Sequence, residues 1–193
     1  MMQPAFMPWQ GYFGLIDHSD VFVLLDDFQF SLQSYHQRNR LFVDRGSVDW
    51  YTVPVDKKSS FGRPLNEAKI NYRIPWQRKM LRRIQQNYGR TPHYAVHYPF
   101  IEDWLMAKHD TLADMNTDFI LQVCEWLGLE GEVVRSSRWP SEEQRSKRVL
   151  ELLRITSARK YLCANGSFRY MLEDGVFPVA DIYVVFQDYN LLP

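Results

Sequence analysis

Residues 20–42 read DVFVLLDDFQFSLQSYHQRNRLF, and this stretch predicts where a sheet carries polar side chains. The run VFVLL at 21–25 is rich in β-branched and aromatic residues, which is typical of a buried strand. It ends in two adjacent carboxylates, Asp26 and Asp27, and a second strand-like run follows at 38–43. Ligand groups of α/β sheets usually lie at strand ends. We therefore predict an α/β sheet with a polar site at the end of its first strand.

The rest of the chain favours a single α/β domain with helices in its middle. A short helix at 11–19 precedes the first strand, and the two together form an α/β unit. Further strands are predicted at 48–55, 66–72, 160–164 and 181–186, and helices at 76–88, 92–108, 114–127 and 142–156. We predict one domain over residues 1–193, with a mostly parallel sheet and a helical section at about 75–157.

Local signals place the ends and faces of these helices. Pro99 is expected to break or bend the second one, because proline removes a backbone hydrogen bond. Gly128 is expected to cap the third, and Ser141 with Gln144 has the spacing of a capping box before the fourth. The first is predicted to bury one side, formed by Trp76, Met80, Leu81 and Ile84.

Composition limits the partners of the chain. With 193 residues, 46% of them hydrophobic and 15% aromatic, it is long enough to bury a core. The 23 basic and 23 acidic residues give a formal net charge of zero, so no global field favours nucleic acid as a partner. An anionic ligand must therefore be held by a local cluster of basic side chains.

The N-terminus and the cysteines predict a cytoplasmic protein without membrane insertion. MMQPAFMPWQ lacks the basic flank and apolar core of a signal peptide, and VFVLL is far too short to cross a bilayer. Cys124 and Cys163 form neither a disulfide framework nor a CxxC site. A reducing compartment fits this cysteine usage.

The acidic pair at the strand end is the first candidate site. Strand alternation sends Asp26 and Asp27 to opposite faces, so that one is buried and the other exposed. Asp27 is the member that we expect to act as a base, because its face opens to solvent at the strand end. The alternative is structural: one aspartate caps the following turn while the other is only solvated.

The segment SYHQRNR supplies the second group of candidates. His36 is suited to act as a general base or hydrogen-bond donor, although a lone histidine is usually structural. Arg38 and Arg40 share one face of the predicted strand and form a candidate anion clamp, whereas Asn39 points the other way. Arginines on an exposed strand face are equally common without any ligand.

The other motifs in the sequence do not indicate a catalytic or metal site. His93 and His97 have the helical spacing of metal ligands, but no third ligand is apparent, and we interpret them as packing or surface residues without a metal. Cys163 is expected to be a buried, inert thiol rather than a nucleophile. The GxSxG, P-loop and GxGxxG signatures are absent from the sequence.

The segment QPAFMPWQGYFGLIDHSDVFVLLDDFQFSLQSYHQRNRLF resembles the opening of the WbqC-like family of bacterial proteins. The resemblance continues through TVPV at 52–55, the central helices and YLCANGSFRYM, and so covers nearly the whole chain. The positions that fit the family pattern are Gln3, Pro4, Pro8, Gly11, Tyr12, Phe13, Asp20, Asp26, Asp27, Gln29, Arg38 and Asn39.

The resemblance implies a transferase that moves an acyl or aminoacyl group, glycyl included, to an amino sugar or a nucleotide-linked amino sugar. Such proteins belong to bacterial surface-polysaccharide (O-antigen) and natural-product gene clusters. The implied partners are a phosphate-bearing small molecule and an acyl or aminoacyl donor, with no certain cofactor. The alternatives are another enzyme that binds nucleotide sugars, or a scaffold without catalysis. The implied catalytic residues are Asp26, Asp27 and His36, and the implied substrate-binding residues are Gln3, Tyr12, Gln29, Arg38, Asn39 and Arg169.

The chain departs from the family pattern in places. Only two methionines precede Gln3, where the family has a complete strand. The family's Tyr-X-Ser-Gly is replaced by the run from Tyr161 to Ala164, which puts in doubt any role for that serine. A fainter similarity, to nucleotidyltransferase or Rossmann-like folds, supports a parallel core. The loop PWQGY lacks the histidines of the HxGH signature of those enzymes, which argues against unmodified nucleotidyl transfer.

Overall fold

A computed structural model describes residues 1–43, 46–164 and 166–187, apart from the side chains of residues 168–170. The described residues form a mixed α/β structure. Its helices are α1 (Gln10–Asp17), α2 (Lys57–Ser60), α3 (Trp76–Tyr88), α4 (Tyr94–Met106), α5 (Leu112–Leu127), α6 (Arg145–Ile155) and α7 (Ser167–Asp174). Its strands are β1 (Val21–Leu24), β2 (Arg38–Val43), β3 (Ser47–Thr52), β4 (Glu132–Arg135), β5 (Lys160–Cys163) and β6 (Tyr183–Phe186).

The chain divides into two compact units. The first unit comprises Met1–Gln3, Trp9–Phe28 and Val123–Pro193, and the second comprises Pro4–Pro8 and Gln29–Gln122. The prediction of a single domain over residues 1–193 stays a prediction. Within the described residues, no helix is long and apolar enough to cross a membrane.

The first unit contains two parallel strand pairs. Strand β1 pairs with β4, from Val21 opposite Glu132 to Leu24 opposite Arg135, and β5 pairs with β6. Met2 adds a parallel bridge to Leu24, so the short segment before Gln3 lies beside β1. The core of the unit is built from β-strand residues and the apolar face of α6: Val23, Leu25, Val134, Val149, Leu152, Tyr161 and Cys163.

The second unit is built on an antiparallel hairpin. Strands β2 and β3 pair from Arg38 opposite Thr52 to Val43 opposite Ser47, and residues 44 and 45 of the connection lie outside the described residues. The rings of Phe6 and Phe119 pack on the buried indole of Trp104 at centroid distances of 5.6 and 4.5 Å.

Several predicted elements are confirmed. Helix α3 begins at Trp76 and buries the predicted side, and strands β1, β2, β5 and β6 lie within the predicted ranges. Helix α5 ends at Leu127, and Gly128 has a φ of 68°, a left-handed value that favours glycine. Both signals are local. One is the apolar periodicity within a single element, and the other is a glycine at a position whose left-handed backbone favours that residue.

Three local predictions are wrong. Residues 66–72 form no strand: a 3₁₀ turn at Leu65–Glu67 buries Leu65 and Ala68, three positions apart, and isolated bridges follow it. Helix α4 runs through Pro99, so the predicted break is wrong, whereas the predicted bend stays a prediction. The exposed position of Pro99 on the helix leaves the carbonyl group four residues earlier accessible to water.

The predicted capping box before α6 is the third error. The side chain of Gln144 makes no capping hydrogen bond, and the Ser141 hydroxyl accepts from the Glu143 amide instead. The first turn of α6 is satisfied by a distant carboxylate, because the amide and hydroxyl of Ser146 both donate to Asp174. Sequence spacing alone does not detect a cap that comes from another helix.

Candidate functional site

The parallel pairing of β1 with β4 brings two polar segments to the same rim of the sheet. Strand β1 ends at Leu24 and β4 at Arg135, and these two residues are opposite each other. The residues that follow therefore lie close together, although 109 or more positions separate them in sequence. Carboxyl ends of parallel strands are the usual ligand positions in α/β sheets.

Asp26 is fully buried and heavily hydrogen bonded. Its carboxylate accepts from Arg135 Nε at 2.6 Å, from the Ser137 amide at 2.9 Å and from the Ser137 hydroxyl at 2.7 Å. A buried carboxylate needs such partners, because an unpaired one would cost several kcal/mol. Asp26 therefore holds the segment after β4 against the end of β1.

Asp27 is reachable from solvent, with 24% of its side chain exposed. One carboxylate oxygen accepts from Arg148 through both Nη2, at 2.7 Å, and Nε, at 3.2 Å. The Ser136 hydroxyl contacts the other oxygen and also lies 3.1 Å from Asp26, so its single proton is shared between two carboxylates.

Arg148 is the most buried cation of the site, with 2% of its side chain exposed. Besides Asp27, its guanidinium donates to Glu151 at 2.7 Å and to the carbonyl oxygens of Ser136 and Trp139. Hydrogen bonds from Ser141 and from Arg148 lower the pKa of Glu151. All of these interactions hold the guanidinium in one orientation.

We call this group the carboxylate cluster: Asp26, Asp27, Arg135, Ser136, Ser137, Arg148 and Glu151. Its three carboxylates and two guanidiniums sum to a formal charge of −1. Asp27 and Glu151 are 24% and 35% exposed, so the excess negative charge is accessible from solvent. Such a cluster is suited to attract a cationic group.

The predicted difference in burial within the acidic pair is confirmed, but the predicted opposite orientation is wrong. Alternation ends with the strand, because the chain turns immediately after Leu24 and the Asp26 amide donates back to the Leu24 carbonyl at 3.0 Å. Both carboxylates therefore reach the hydroxyl of Ser136.

In the second unit, Arg38 and Arg40 lie over one indole ring. Their guanidinium carbons are 4.0 and 5.6 Å from the centroid of Trp50, which confirms that the two arginines share a strand face. Tyr35 packs against the same ring at 5.8 Å. Among the described residues, the Arg38 guanidinium has no hydrogen-bond or ion-pair partner, and its Nε is buried. We call Tyr35, Arg38, Arg40 and Trp50 the arginine–tryptophan face.

The other candidates from the opening segment have mainly structural contacts. Asn39 donates to the carbonyl oxygens of Phe6 at 3.3 Å and Met7 at 2.7 Å, and Gln29 is exposed and bridges to Pro64. Burial lowers the pKa of His36 to about 4, so its imidazole is neutral at pH 7. These residues and Arg38 belong to the second unit, whereas the acidic pair belongs to the first.

The remaining predicted substrate-binding residues lie in the first unit. Tyr12 is fully buried, and its hydroxyl donates to the backbone oxygen of Gln3 at 3.2 Å. Burial raises the pKa of Tyr12 well above its ordinary value, so the phenol stays neutral. Arg169 belongs to α7, but its side chain lies outside the described residues.

Cys163 and the histidine pair lie outside both clusters. Burial raises the pKa of the Cys163 thiol to about 11, and its sulfur contacts the Val185 carbonyl at 3.5 Å. The rings of His93 and His97 are 6.2 Å apart. Within the described part of the chain, no group of three or more His, Cys, Asp or Glu side chains is arranged to hold a metal ion.

Sequence reasoning missed most of the carboxylate cluster. Arg135 ends a short strand, and Ser136 and Ser137 follow it, which was the available signal. Arg148 was also detectable in the sequence, because it interrupts the apolar face of α6 beside Val149 and Leu152. A charged residue on the buried side of a helix usually has a partner.

Fold and site define a mixed α/β protein whose parallel strands end at an arginine-bound pair of carboxylates. The chain belongs to the WbqC-like protein family, whose model matches residues 3–193. It is similar to the uncharacterized protein Rv1507c of Mycobacterium tuberculosis (strain ATCC 25618 / H37Rv), with 28% identity over 195 residues. That alignment covers 98% of this chain and 81% of the relative. No solved structure matches the chain.

Proposed function

We propose that this protein transfers an acyl or aminoacyl group, glycyl included, to the amine of an amino sugar or a nucleotide-linked amino sugar. The setting would be the cytoplasmic biosynthesis of bacterial surface polysaccharides or natural products. The observation that carries the proposal is the carboxylate cluster, with its formal charge of −1 and the exposed edge of Asp27. An amine acceptor arrives as an ammonium ion, which this charge attracts.

The reaction needs a neutral amine. Asp27 takes one proton from the bound ammonium, and the nitrogen lone pair then attacks the acyl carbonyl carbon. A C–N bond forms, the bond from the acyl carbon to its leaving group breaks, and the second amine proton leaves with that group or with water. Arg148 and Ser136 keep the Asp27 carboxylate in place, and Asp26 positions Arg135 and Ser137.

Within this proposal Asp27, rather than His36, is the base. Burial lowers the pKa of His36 to about 4, so its imidazole is neutral near pH 7 and offers an ammonium ion no negative charge. His36 then has a positioning role, since its backbone oxygen accepts from the buried amide of Asn116 at 2.8 Å. Among the predicted substrate-binding residues, Gln3 and Gln29 remain candidates for direct contact, while Tyr12 and Asn39 act through the backbone groups they hold.

Arg38 is proposed to bind a phosphate group of a ligand. Its guanidinium is oriented by stacking on Trp50, and its donors have no partner among the described residues. A planar guanidinium matches two phosphate oxygens at once.

Two measurements test the transferase. The first is a thermal-shift screen against nucleotides, nucleotide-linked amino sugars, acyl-coenzyme A and aminoacyl-adenylate mimics. A ligand at one hundred times its dissociation constant adds about 2.7 kcal/mol of stability, which raises the melting temperature by roughly 5 to 11 °C for this chain length. The second is mass spectrometry of donor and acceptor mixtures, where an amide product appears as an acyl mass increase on the sugar. Binding of both substrates without that product would contradict the transferase.

A second candidate is a protein that binds nucleotide sugars for other chemistry or as a scaffold. The arginine–tryptophan face favours it, because phosphate binding there requires no acyl donor. The screen distinguishes the two functions. A response to nucleotide sugars alone, which Arg38→Ala abolishes and Asp27→Asn leaves unchanged, would favour the second candidate.

A further inference from the structure

A cavity in the second unit is used by no step of the proposed reaction. Its volume is about 250 Å³, and its walls come from the segment before α1, strand β2 and helices α3 and α4. The residues that characterise it are Met7, Tyr88, His93, Tyr94, His97 and Tyr98, and aliphatic side chains complete the lining. An apolar cavity of about 150 Å³ binds benzene. This one has room for a substituted or bicyclic ring.

Among the residues that the structure describes, the lining of the cavity carries no carboxylate, ammonium or guanidinium group. Burial raises the pKa of Tyr88, so its phenol is neutral as well. A charged ligand would lose its hydration here without gaining a partner of opposite charge. The ligand that fits is therefore neutral, unlike the phosphate-bearing ligand proposed for Arg38.

Helix α4 presents paired rings toward the cavity. Tyr94 and Tyr98 are one turn apart, with ring centroids 4.7 Å apart and planes inclined by 31°. His93, which precedes the helix, and His97 form a second pair at 6.2 Å. Aromatic faces favour an aromatic guest, and the thioether of Met7 adds a favourable contact with such a ring. The imidazole of His93 offers a hydrogen bond to one polar substituent.

Two walls of the cavity are held in place by long-range hydrogen bonds. Met7 has a φ of 45°, a left-handed value that is strained for a residue with a side chain, and the Asn39 amide holds its carbonyl oxygen at 2.7 Å. The Tyr88 hydroxyl accepts from the Phe42 amide at 2.9 Å. A strained wall residue held by a distant amide is typical of a preorganised ligand site.

We propose that this cavity binds a neutral planar aromatic group with one hydrogen-bonding substituent, a hydroxyl or ring N–H that meets His93. The inference does not depend on the acyl transfer proposed above, because no residue of the carboxylate cluster or the arginine–tryptophan face lines the cavity. It assigns a binding role to His93 and His97, whose sequence pattern indicated packing or surface positions.

The first test is a titration of the unaltered protein with methyl-labelled methionine. Phenol and indole are the probes, hexanol is the flexible control, and Met7→Leu assigns the Met7 methyl resonance. We expect saturable shifts of that resonance, with a dissociation constant on the order of 1 mM or lower, as suits fragments of this size. Hexanol is expected to bind at least about fivefold more weakly, because it must be ordered on binding. Absence of saturation, or equal affinity for hexanol, would overturn the proposal.

The second test uses matched variants of α4. Ile101→Trp fills the cavity and is expected to weaken phenol binding by about tenfold or more. Val96→Trp places the same ring at a site that is 69% exposed and outside the lining, and is expected to change nothing. If Ile101→Trp folds and binds phenol like the parent, the ligand lies elsewhere. Should that variant not fold, competition between phenol and indole for the Met7 shift decides: mutual exclusion supports one site, and independent binding contradicts it.

Discussion

Asp27 is the residue on which the proposed chemistry depends. Asp27→Asn preserves size and hydrogen bonding but removes the charge, and we expect turnover to fall by about two or more orders of magnitude. The variant is also expected to lose stability, because the buried guanidinium of Arg148 keeps only Glu151 as an acidic partner. Activity per folded molecule, with the folded fraction from circular dichroism, separates the two effects.

Asp26→Asn is the matched control for that experiment. Asp26 is fully buried and engaged by Arg135 and Ser137, so its loss is expected to lower the melting temperature more than the turnover of the molecules that stay folded. Unchanged turnover in folded Asp27→Asn would contradict a catalytic role for the carboxylate cluster and would favour a binding or scaffold role.

Arg38 rather than Arg40 is expected to dominate anion binding. Arg38 stacks at 4.0 Å on Trp50, whereas Arg40 lies at 5.6 Å and is more exposed. Arg38→Ala is expected to weaken the binding of a nucleoside diphosphate by at least about tenfold, since a charge-assisted hydrogen bond contributes about 1.5–3 kcal/mol. Calorimetric titration of Arg38→Lys and Arg40→Ala completes the comparison. Loss of binding in Arg40→Ala alone would assign the clamp to the other arginine.

Cys163 is expected to be unreactive in the folded protein. With a pKa of about 11, roughly one thiol in a thousand is ionised at pH 8, and only the thiolate is nucleophilic. Labelling with a chromogenic disulfide at pH 8 is predicted to be slow in buffer and rapid in urea. Cys163→Ala is expected to retain turnover within severalfold, and an acyl intermediate trapped on this sulfur would refute that expectation.

At the scale of elements, the side chain of Arg148 links helix α6 to the end of the sheet. Arg148 contacts Asp27, Glu151 and two carbonyl oxygens while almost completely buried. Arg148→Gln leaves Asp27 without its main partner, and we expect the free energy of unfolding to fall by about 3 kcal/mol. Chemical denaturation measures this loss.

The control on the same helix is Arg154→Gln. Arg154 is exposed, and its replacement is expected to change the free energy of unfolding by no more than about 0.5 kcal/mol. Equal effects of the two variants would show that burial and ion pairing at Arg148 contribute no special stability to α6.

For the molecule as a whole, His36 makes stability depend on pH. Its pKa is about 4 in the folded chain and about 6.5 when unfolded, so the unfolded state binds the proton more readily. The stabilisation is complete above pH 6.5 and is lost as the pH falls toward 4. Between pH 7 and pH 4.5, the free energy of unfolding of the parent is expected to fall by about 2–3 kcal/mol more than that of His36→Phe. Urea unfolding at both pH values measures the difference, and parallel losses would show that His36 is not buried as described.

Local sequence patterns alone predicted several helices and strands of this protein and the position of the acidic pair. The apolar spacing of α3, the β-branched run of β1 and the glycine after α5 each depend on residues within one element, and periodicity registers them. The acidic pair was found for the same reason, because it directly follows a strand. Family membership also followed from the sequence, since motifs spread over nearly the whole chain carried it.

Only the tertiary structure decided which groups meet. Asp26 and Asp27 find Ser136 and Arg148 across 109 to 121 positions, because β1 pairs with β4 rather than with the adjacent β2. Periodicity predicts that β1 has a buried face, but it does not predict which strand pairs with β1. The pairing partner depends on the packing of the whole core, and no short segment of sequence contains that information. The same packing places Arg38 and Asn39, neighbours of the acidic pair in sequence, in a different compact unit.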